Sequence, residues 1–160
     1  MWEMKKARTV AASAVILGVC SVFAAPAASA QTLWLQCEIA NSSGSWANYS
    51  HYVPAEYFEA GTTTIFAIGE QSWGRWMPSS ARVEANFCSS IAMETSRCDF
   101  APTFFRARLS NGLTTMTMTI DRTTGRFSAV TAPAPGVSGA GSVNGVCRPT
   151  TEPAAPATQF

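Results

Sequence analysis

The sequence has little charge and few of the side chains that enzymes use for acid–base chemistry. Charged residues make up 13% of the chain, His51 is the only histidine, and no lysine follows Lys6. Three of the 11 basic residues and one of the 10 acidic residues lie in the first 30 positions, which leaves eight arginines, nine acidic residues and a formal charge of −1 for residues 31–160. Nucleic acids and anionic membranes are bound by concentrated basic surfaces. The composition therefore predicts no nucleic-acid partner.

Long apolar runs are also missing. The longest uncharged, largely apolar stretch covers positions 9–23, whereas a transmembrane helix needs about 20 apolar residues. A basic segment, MWEMKKAR, precedes this stretch, and Ala28-Ser29-Ala30 follows it with the small side chains that a signal peptidase requires. An uncleaved anchor would need a longer run and no small-residue exit. The order of these features predicts that residues 1–30 are a cleaved export signal.

Cleavage of this signal would leave one small domain. The 130 residues from 31 to 160 are enough for one hydrophobic core and too few for two. We expect residues 31–148 to form a single β domain and residues 149–160, a Pro- and Ala-rich segment, to form a disordered tail. The style of the signal is bacterial, so we expect a periplasmic or secreted protein with no transmembrane span after cleavage.

Four cysteines follow the signal, at positions 37, 88, 98 and 147. An even number of cysteines in a small exported chain predicts two disulfides. Three pairings are possible. We favour Cys37–Cys147, which would join the first strand to the last, with Cys88–Cys98, which would close a short loop. A zinc site is the alternative, but the sequence has no C-x-x-C and only one histidine. We therefore expect neither a metal site nor a cofactor.

Alternating apolar and polar side chains predict a first strand over residues 33–39. Leu33, Leu35, Cys37 and Ile39 would point to one side of this strand, and the residues between them, which include Trp34, would point to the other. The run Asn-Ser-Ser-Gly-Ser at 41–45 consists of turn-forming residues and is expected to end the strand.

Further strands are predicted over residues 62–68, 82–88 and 142–147, with one or two helical turns over 54–61. Between residues 103 and 131 the alternation and turn residues predict a three-stranded meander. We therefore expect an all-β domain, an antiparallel β-sandwich or small barrel of six to eight strands with two disulfides and at most one short helix.

The meander contains two predicted turns. Asn111-Gly112 is the pair that a two-residue type I′ turn favours, because both positions need positive φ. This turn would place Leu109 opposite Thr114. A four-residue loop before Arg126 would place Ile120 opposite Phe127 and keep both apolar side chains inside.

Aromatic residues give the strongest indication of a binding surface. Exposed aromatic rings bind sugars and proteins, and Trp, Tyr and Arg dominate interface hot spots. In Trp73-Gly74-Arg75-Trp76, strand alternation would send the two rings to opposite faces, whereas packing of both in the core is the alternative. The candidate contact residues are Trp46, Tyr49, Tyr52, Trp73, Arg75 and Trp76.

These observations favour a non-catalytic, exported cell-envelope module that binds or inhibits an envelope protein or a glycan through an aromatic surface. The alternative is a small exported hydrolase that uses His51 with a nearby serine and an acid such as Glu56, although no G-x-S-x-G motif supports it. A purely structural envelope protein is the third hypothesis.

Overall fold

The structure, a computed structural model, describes residues 31–44, 58–90 and 93–154. These segments form one antiparallel sheet of nine strands that curls into a half-barrel. In chain order the strands are β1 (Leu33–Gly44), β2 (Thr63–Ile68), β3 (Trp73–Met77), β4 (Arg82–Glu84), β5 (Thr95–Phe100), β6 (Phe104–Ser110), β7 (Thr114–Asp121), β8 (Arg126–Pro133) and β9 (Gly141–Thr150). Across the sheet the order is β4-β3-β2-β1-β9-β8-β7-β6-β5, so β4 and β5 are the two edges.

The all-β class is confirmed, whereas the predicted number of strands is too low. Strands β3 and β5 were not predicted as strands: β3 has a glycine and no β-branched residue, and β5 is a mostly polar edge strand. The predicted strand over 82–88 has only three residues, because Ala85 has a φ of 57° and ends it. The described residues contain no α-helix. Of the helical turns predicted over 54–61, residues 54–57 lie outside the described residues, and residues 58–61 form no α-helix.

Side-chain alternation divides the sheet into an inner face, which holds the core, and an outer face. The inner residues of β6–β8 are almost all fully buried, and aromatic rings continue this core beneath β2 and β3. The Phe66 ring contacts the rings of Trp73 and Phe127 at centroid distances of 5.5 and 5.6 Å. Each such buried side chain contributes roughly 1.5–3 kcal/mol relative to an exposed one. The inner face is thus the main source of stability.

The segment that follows β4 packs against the aromatic core. Phe87, from this segment, packs edge-on against Phe66 and Trp73, and its backbone amide donates to the Trp73 carbonyl at 2.8 Å. The Cys88–Cys98 disulfide fastens the same segment to β5. Phe87 and Cys88 are therefore fixed to β3 and β5, respectively.

Strand β1 does not end at the run of turn-forming residues. It continues to Gly44 because β9 pairs with it along its whole length, with a bulge at Ala40 that shifts the register. The Ser43 and Ser142 hydroxyls lie 2.9 Å apart across the two strands. Strand β9 in turn reaches Thr150, two residues beyond the predicted end of the domain at 148.

The β6–β7 turn is longer than predicted, and the predicted register is wrong by two residues. Leu109 lies opposite Met116 rather than Thr114. Only Gly112 has positive φ, and the Asn111 side-chain oxygen accepts hydrogen bonds from the amides of Leu113 and Thr114. This side-chain capping replaces the type I′ geometry. A shift of two residues leaves each side chain on its predicted face.

The β7–β8 turn has the predicted register, with Ile120 opposite Phe127. Asp121 accepts hydrogen bonds from the amides of Thr123 and Thr124 at 2.9 and 2.8 Å, and Gly125 takes a φ of 72°. The carboxylate thus satisfies two amides that the sheet leaves unpaired.

Both disulfides join the cysteine pairs that the sequence analysis favoured. Cys37 lies directly opposite Cys147 in the centre of the sheet, and both are buried. Within the described segments there is no helix with the length and apolar character that crossing a membrane requires. These features are compatible with an extracellular or periplasmic protein.

Loss of the Cys37–Cys147 disulfide should destabilise the protein more than loss of Cys88–Cys98. The sequence separations are 110 and 10 residues, for which chain-entropy estimates give about 4–5 and about 3 kcal/mol. We expect the two paired Cys→Ala variants to lose free energy of unfolding in this order, as measured by urea unfolding. A reductant should not affect a variant without any of the four cysteines. A larger loss in the Cys88→Ala/Cys98→Ala variant would contradict the prediction.

The β7–β8 turn should lose stability in acid. The backbone amide of Thr124 is the main cause that holds the pKa of Asp121 below its ordinary value of 3.8, with smaller contributions from the Thr124 hydroxyl, the Thr123 amide and Arg126. A lowered pKa contributes stability that is present above the unfolded-state value and is lost as the pH falls through the folded-state value. We expect the urea concentration at the unfolding midpoint to decrease when the pH is lowered below about 4. The decrease should be smaller in Asp121→Asn.

The matched control for this measurement is Asp99→Asn, which removes a carboxylate from β5, outside the turn. An equally steep acid dependence in wild type and Asp121→Asn would contradict the role of the turn.

Candidate functional site

The side chains of the Trp73–Trp76 segment lie on two different faces of the sheet. Trp73 is fully buried in the core, and Arg75 is 3% exposed and faces inward opposite Phe66. Neither can belong to an accessible contact surface in this structure. Trp76 points to the outer face, as alternation predicts, but only 9% of its surface is exposed. The other candidates from the sequence lie outside the described residues: Trp46, Tyr49, His51, Tyr52 and Glu56.

An aromatic residue that the sequence analysis did not single out lies next to Trp76. Trp34, on the outer face of β1, is half-buried, and its ring meets the Trp76 ring edge-on at a centroid distance of 5.9 Å. Alternation in residues 33–39 already placed Trp34 opposite the core face. The pairing of β1 with β2 and of β2 with β3 then brings it near the Trp73–Trp76 segment.

A groove lies beside Trp34 on the outer face, with a volume of about 270 Å³. Trp34 lies directly opposite Ala67, and Ala67 lies directly opposite Gly74, so a large ring is followed across the sheet by two small residues. This decrease in side-chain size forms the floor of the groove. Val83, which is 43% exposed, overhangs Gly74 so closely that a Cβ at position 74 would overlap its Cγ1 atom.

The rim of the groove is polar but carries no titratable group. Thr32, Ser72 and Asn86 complete the lining with two hydroxyls and one amide. All three side chains are exposed, and they can both donate and accept hydrogen bonds. The groove can therefore stack and hydrogen-bond a ligand, but its own side chains cannot transfer a proton near neutral pH.

The turn between β3 and β4 fixes the position of Val83. Glu84 accepts hydrogen bonds from the Ser80 hydroxyl at 2.8 Å and from the Arg82 guanidinium at 2.9 Å. The Ser80 bond is the main cause that lowers the pKa of Glu84 below its ordinary value of 4.5, followed by the Arg82 bond and by the charges of Arg82 and Arg75. The ionised carboxylate thus braces the strand that carries the groove wall.

Polar depressions continue from the groove along β1 and β9. A cleft of about 690 Å³ shares Thr32 and Trp34 with the groove and extends to Glu152. A second depression of about 220 Å³ lies on the outer face and is lined by Gln36, Glu38, Val146, Arg148, Pro149 and Thr150. Trp34 therefore stands at one end of an extended polar surface.

The end of the half-barrel contains a smaller apolar cavity of about 190 Å³. Leu33, Leu35 and Ile120 line it, and the Arg122 guanidinium lies 4.7 Å from the centroid of the Phe105 ring at its edge. Pockets that enclose small ligands typically measure about 300–1,000 Å³. This cavity and the outer groove are both below that range, but the cavity is lined mostly by apolar side chains and lacks the exposed hydroxyl and amide groups of the groove, so it is the weaker candidate for a polar ligand.

Metal chemistry has no support in the described residues, where no group of three or more histidine, cysteine or acidic side chains could hold an ion. Comparison of the chain with family models, with curated proteins and with solved structures finds no match. The geometry of the outer face is therefore the main indication of function.

Loss of a tryptophan should lower the free energy of unfolding more on the inner face of the sheet than on the outer face. We expect Trp73→Ala to lower the free energy of unfolding by about 3–5 kcal/mol, as for a large side chain in a packed core. Trp34→Ala should cost less than about 2 kcal/mol because its ring is already partly in solvent. Urea unfolding of the two variants tests this difference. Equal losses would show that Trp34 also serves mainly to pack the fold.

Proposed function

We propose that this protein is an exported, non-catalytic binding module of the cell envelope, and that the groove beside Trp34 is its contact surface for a glycan. The observation that carries the proposal is the row Trp34–Ala67–Gly74, which leaves an aromatic wall standing over a floor of small residues. A sugar ring has an apolar side formed by its C–H groups, and it can lie on such a floor with these groups against the indole.

The chemistry of the rim supports a glycan rather than an apolar ligand. Sugars present many hydroxyls that must exchange hydrogen bonds with water for hydrogen bonds with protein. Thr32, Ser72 and Asn86 supply groups that both donate and accept, and Trp34 supplies the apolar contact. With a volume of about 270 Å³ the groove suits one unit of a chain rather than a whole drug-sized molecule.

Support for an exported binding role also comes from the rigidity of the scaffold. Two disulfides fasten the centre and one edge of the sheet, and such bonds persist outside the cytoplasm. The basic, apolar and small-residue order of positions 1–30 agrees with export. A rigid sheet holds the groove in its binding geometry before the ligand arrives, which lowers the entropic cost of binding.

The test is a glycan array followed by calorimetry with the oligosaccharide that binds best. Trp34→Ala removes the aromatic wall, and Val83→Gln changes the opposite wall without adding charge. We expect both variants to weaken binding by about tenfold or more, because a buried aromatic or apolar contact is worth roughly 1.5–3 kcal/mol.

The matched control is Val130→Gln, since Val130 is also an exposed valine, at 49%, on the outer face of β8 away from the groove. It should bind like wild type. Failure of every glycan to bind, or equal affinity of wild type, Trp34→Ala and Val83→Gln, would overturn the proposal. If a purified envelope protein binds instead, and if that binding depends on Trp34 and Val83, the groove would still be the contact surface but its ligand would be a protein rather than a glycan.

A further inference from the structure

Three arginines meet on the outer face at the far side of the sheet from the groove. Arg97 lies on β5 directly opposite Arg108 on β6, and Arg106 lies two residues from Arg108 on the same face. All three side chains are exposed. We call Arg97, Arg106 and Arg108 the arginine patch.

The charge of the patch is only partly compensated. Asp99 lies opposite Arg106, but the one ion pair between two described residues is Arg82–Glu84, on the other edge of the sheet. Like charges directly opposite each other in a sheet repel and destabilise the pair. The Arg97–Arg108 pair therefore imposes a cost on the fold, which the single carboxylate of Asp99 offsets only in part.

Protection of the sheet edge accounts for only one of the three arginines. Charged side chains on edge strands prevent pairing with other chains, and Arg97 lies on the edge strand β5. Arg106 and Arg108 lie on β6, which is paired on both sides. Edge protection gives no reason for two cations on this inner strand, so their position indicates a partner with negative charge.

The surroundings of the patch favour a polar, extended partner. Thr119 lies opposite Arg106 and Thr117 opposite Arg108 on β7. Ser128 continues the first row on β8, and the exposed Val130 continues the second. These hydroxyls would hydrogen-bond a hydroxyl-rich chain. None of the cavities described above reaches this surface, which is typical of contact along a chain rather than enclosure of a small molecule.

The same surroundings argue against a membrane. Proteins that lie on a bilayer insert large apolar side chains between the headgroups. The one aromatic residue on this face of β6 is Phe104, and the Arg106 guanidinium covers its ring at 4.4 Å from the centroid. The Phe104 ring is therefore covered by the Arg106 guanidinium and is not available for insertion into a bilayer. The same contact orients the guanidinium.

We propose that the arginine patch binds an acidic polysaccharide, a linear sugar polymer that carries carboxylate or sulfate groups. The guanidinium groups would form charge-assisted hydrogen bonds with those groups, bidentate where the geometry allows. The threonine and serine hydroxyls beside them would contact the sugar hydroxyls. This site is on other strands than the groove beside Trp34 and does not depend on it.

The experiment measures binding of the full-length purified protein to polygalacturonate and dextran sulfate, with uncharged dextran as the control polymer. Wild type should bind both acidic polymers and not dextran, and binding should weaken as salt rises from about 50 to about 200 mM. Arg97→Gln/Arg108→Gln should lose at least about tenfold in affinity, since hydrogen bonds to charged groups are worth roughly 1.5–3 kcal/mol each.

The matched control is Arg122→Gln/Arg148→Gln, which removes the same charge from exposed positions outside the patch and its neighbouring hydroxyl rows and should retain affinity within about twofold. Because the patch variant relieves repulsion, its melting temperature should equal or exceed that of wild type. Weaker binding with undiminished stability would separate a binding role from a structural one.

Three outcomes would overturn the proposal. They are absence of binding to either acidic polymer, equal losses in the patch and control variants, and equally tight Arg97- and Arg108-dependent binding to anionic phospholipid vesicles. Trp34→Ala should bind the acidic polymers like wild type, so failure of the groove and failure of the patch can be told apart.

Discussion

The structure depends most on the pairing of its first strand with its last. Strands β1 and β9 run side by side from Trp34 opposite Thr150 to Gly44 opposite Gly141, and the Cys37–Cys147 disulfide joins them in the middle. On one side of this pair lie β2–β4, and on the other lies the β5–β8 series of hairpins. Without it these two local units would have no common sheet, and neither could close around one core.

The same pairing gives each face of the sheet its character. Inner residues such as Phe66 and Trp73 form an aromatic core under β2 and β3, while the outer residues opposite one another decrease in size from Trp34 to Gly74. Position within the alternation, rather than residue type, decides which aromatic residue is available. Trp73 is a core residue and Trp34 is a surface residue although both are tryptophans on neighbouring parts of one sheet.

Short-range patterns predicted the side-chain alternation and one of the two meander turns, but they missed the Asn111-capped β6–β7 turn and the pairing of distant strands. The Ile120–Phe127 register and the alternation of β1 follow from short-range patterns and agree with the structure. Strand β3 could not be predicted, because its Gly74 is tolerated only by virtue of the neighbours on both sides. The extension of β1 through residues 41–44 likewise depends on β9, about a hundred positions away. The alternation of β1 was enough to place Trp34 on the outer face, but it could not predict the contact between Trp34 and Trp76.

The net charge of the sequence likewise does not predict which charged side chains strand pairing brings together. A formal charge of −1 after residue 30 predicts no concentrated basic surface, whereas the sheet gathers three arginines on one face. Hairpin register places Arg97 against Arg108 and leaves Arg106 on the same face, while much of the acidic charge lies elsewhere. A like-charged cross-strand pair costs stability, and an internal strand has no need of charge to protect an edge. The pair lowers the stability of the sheet, and we infer that attraction of an anionic chain to this face offsets that cost.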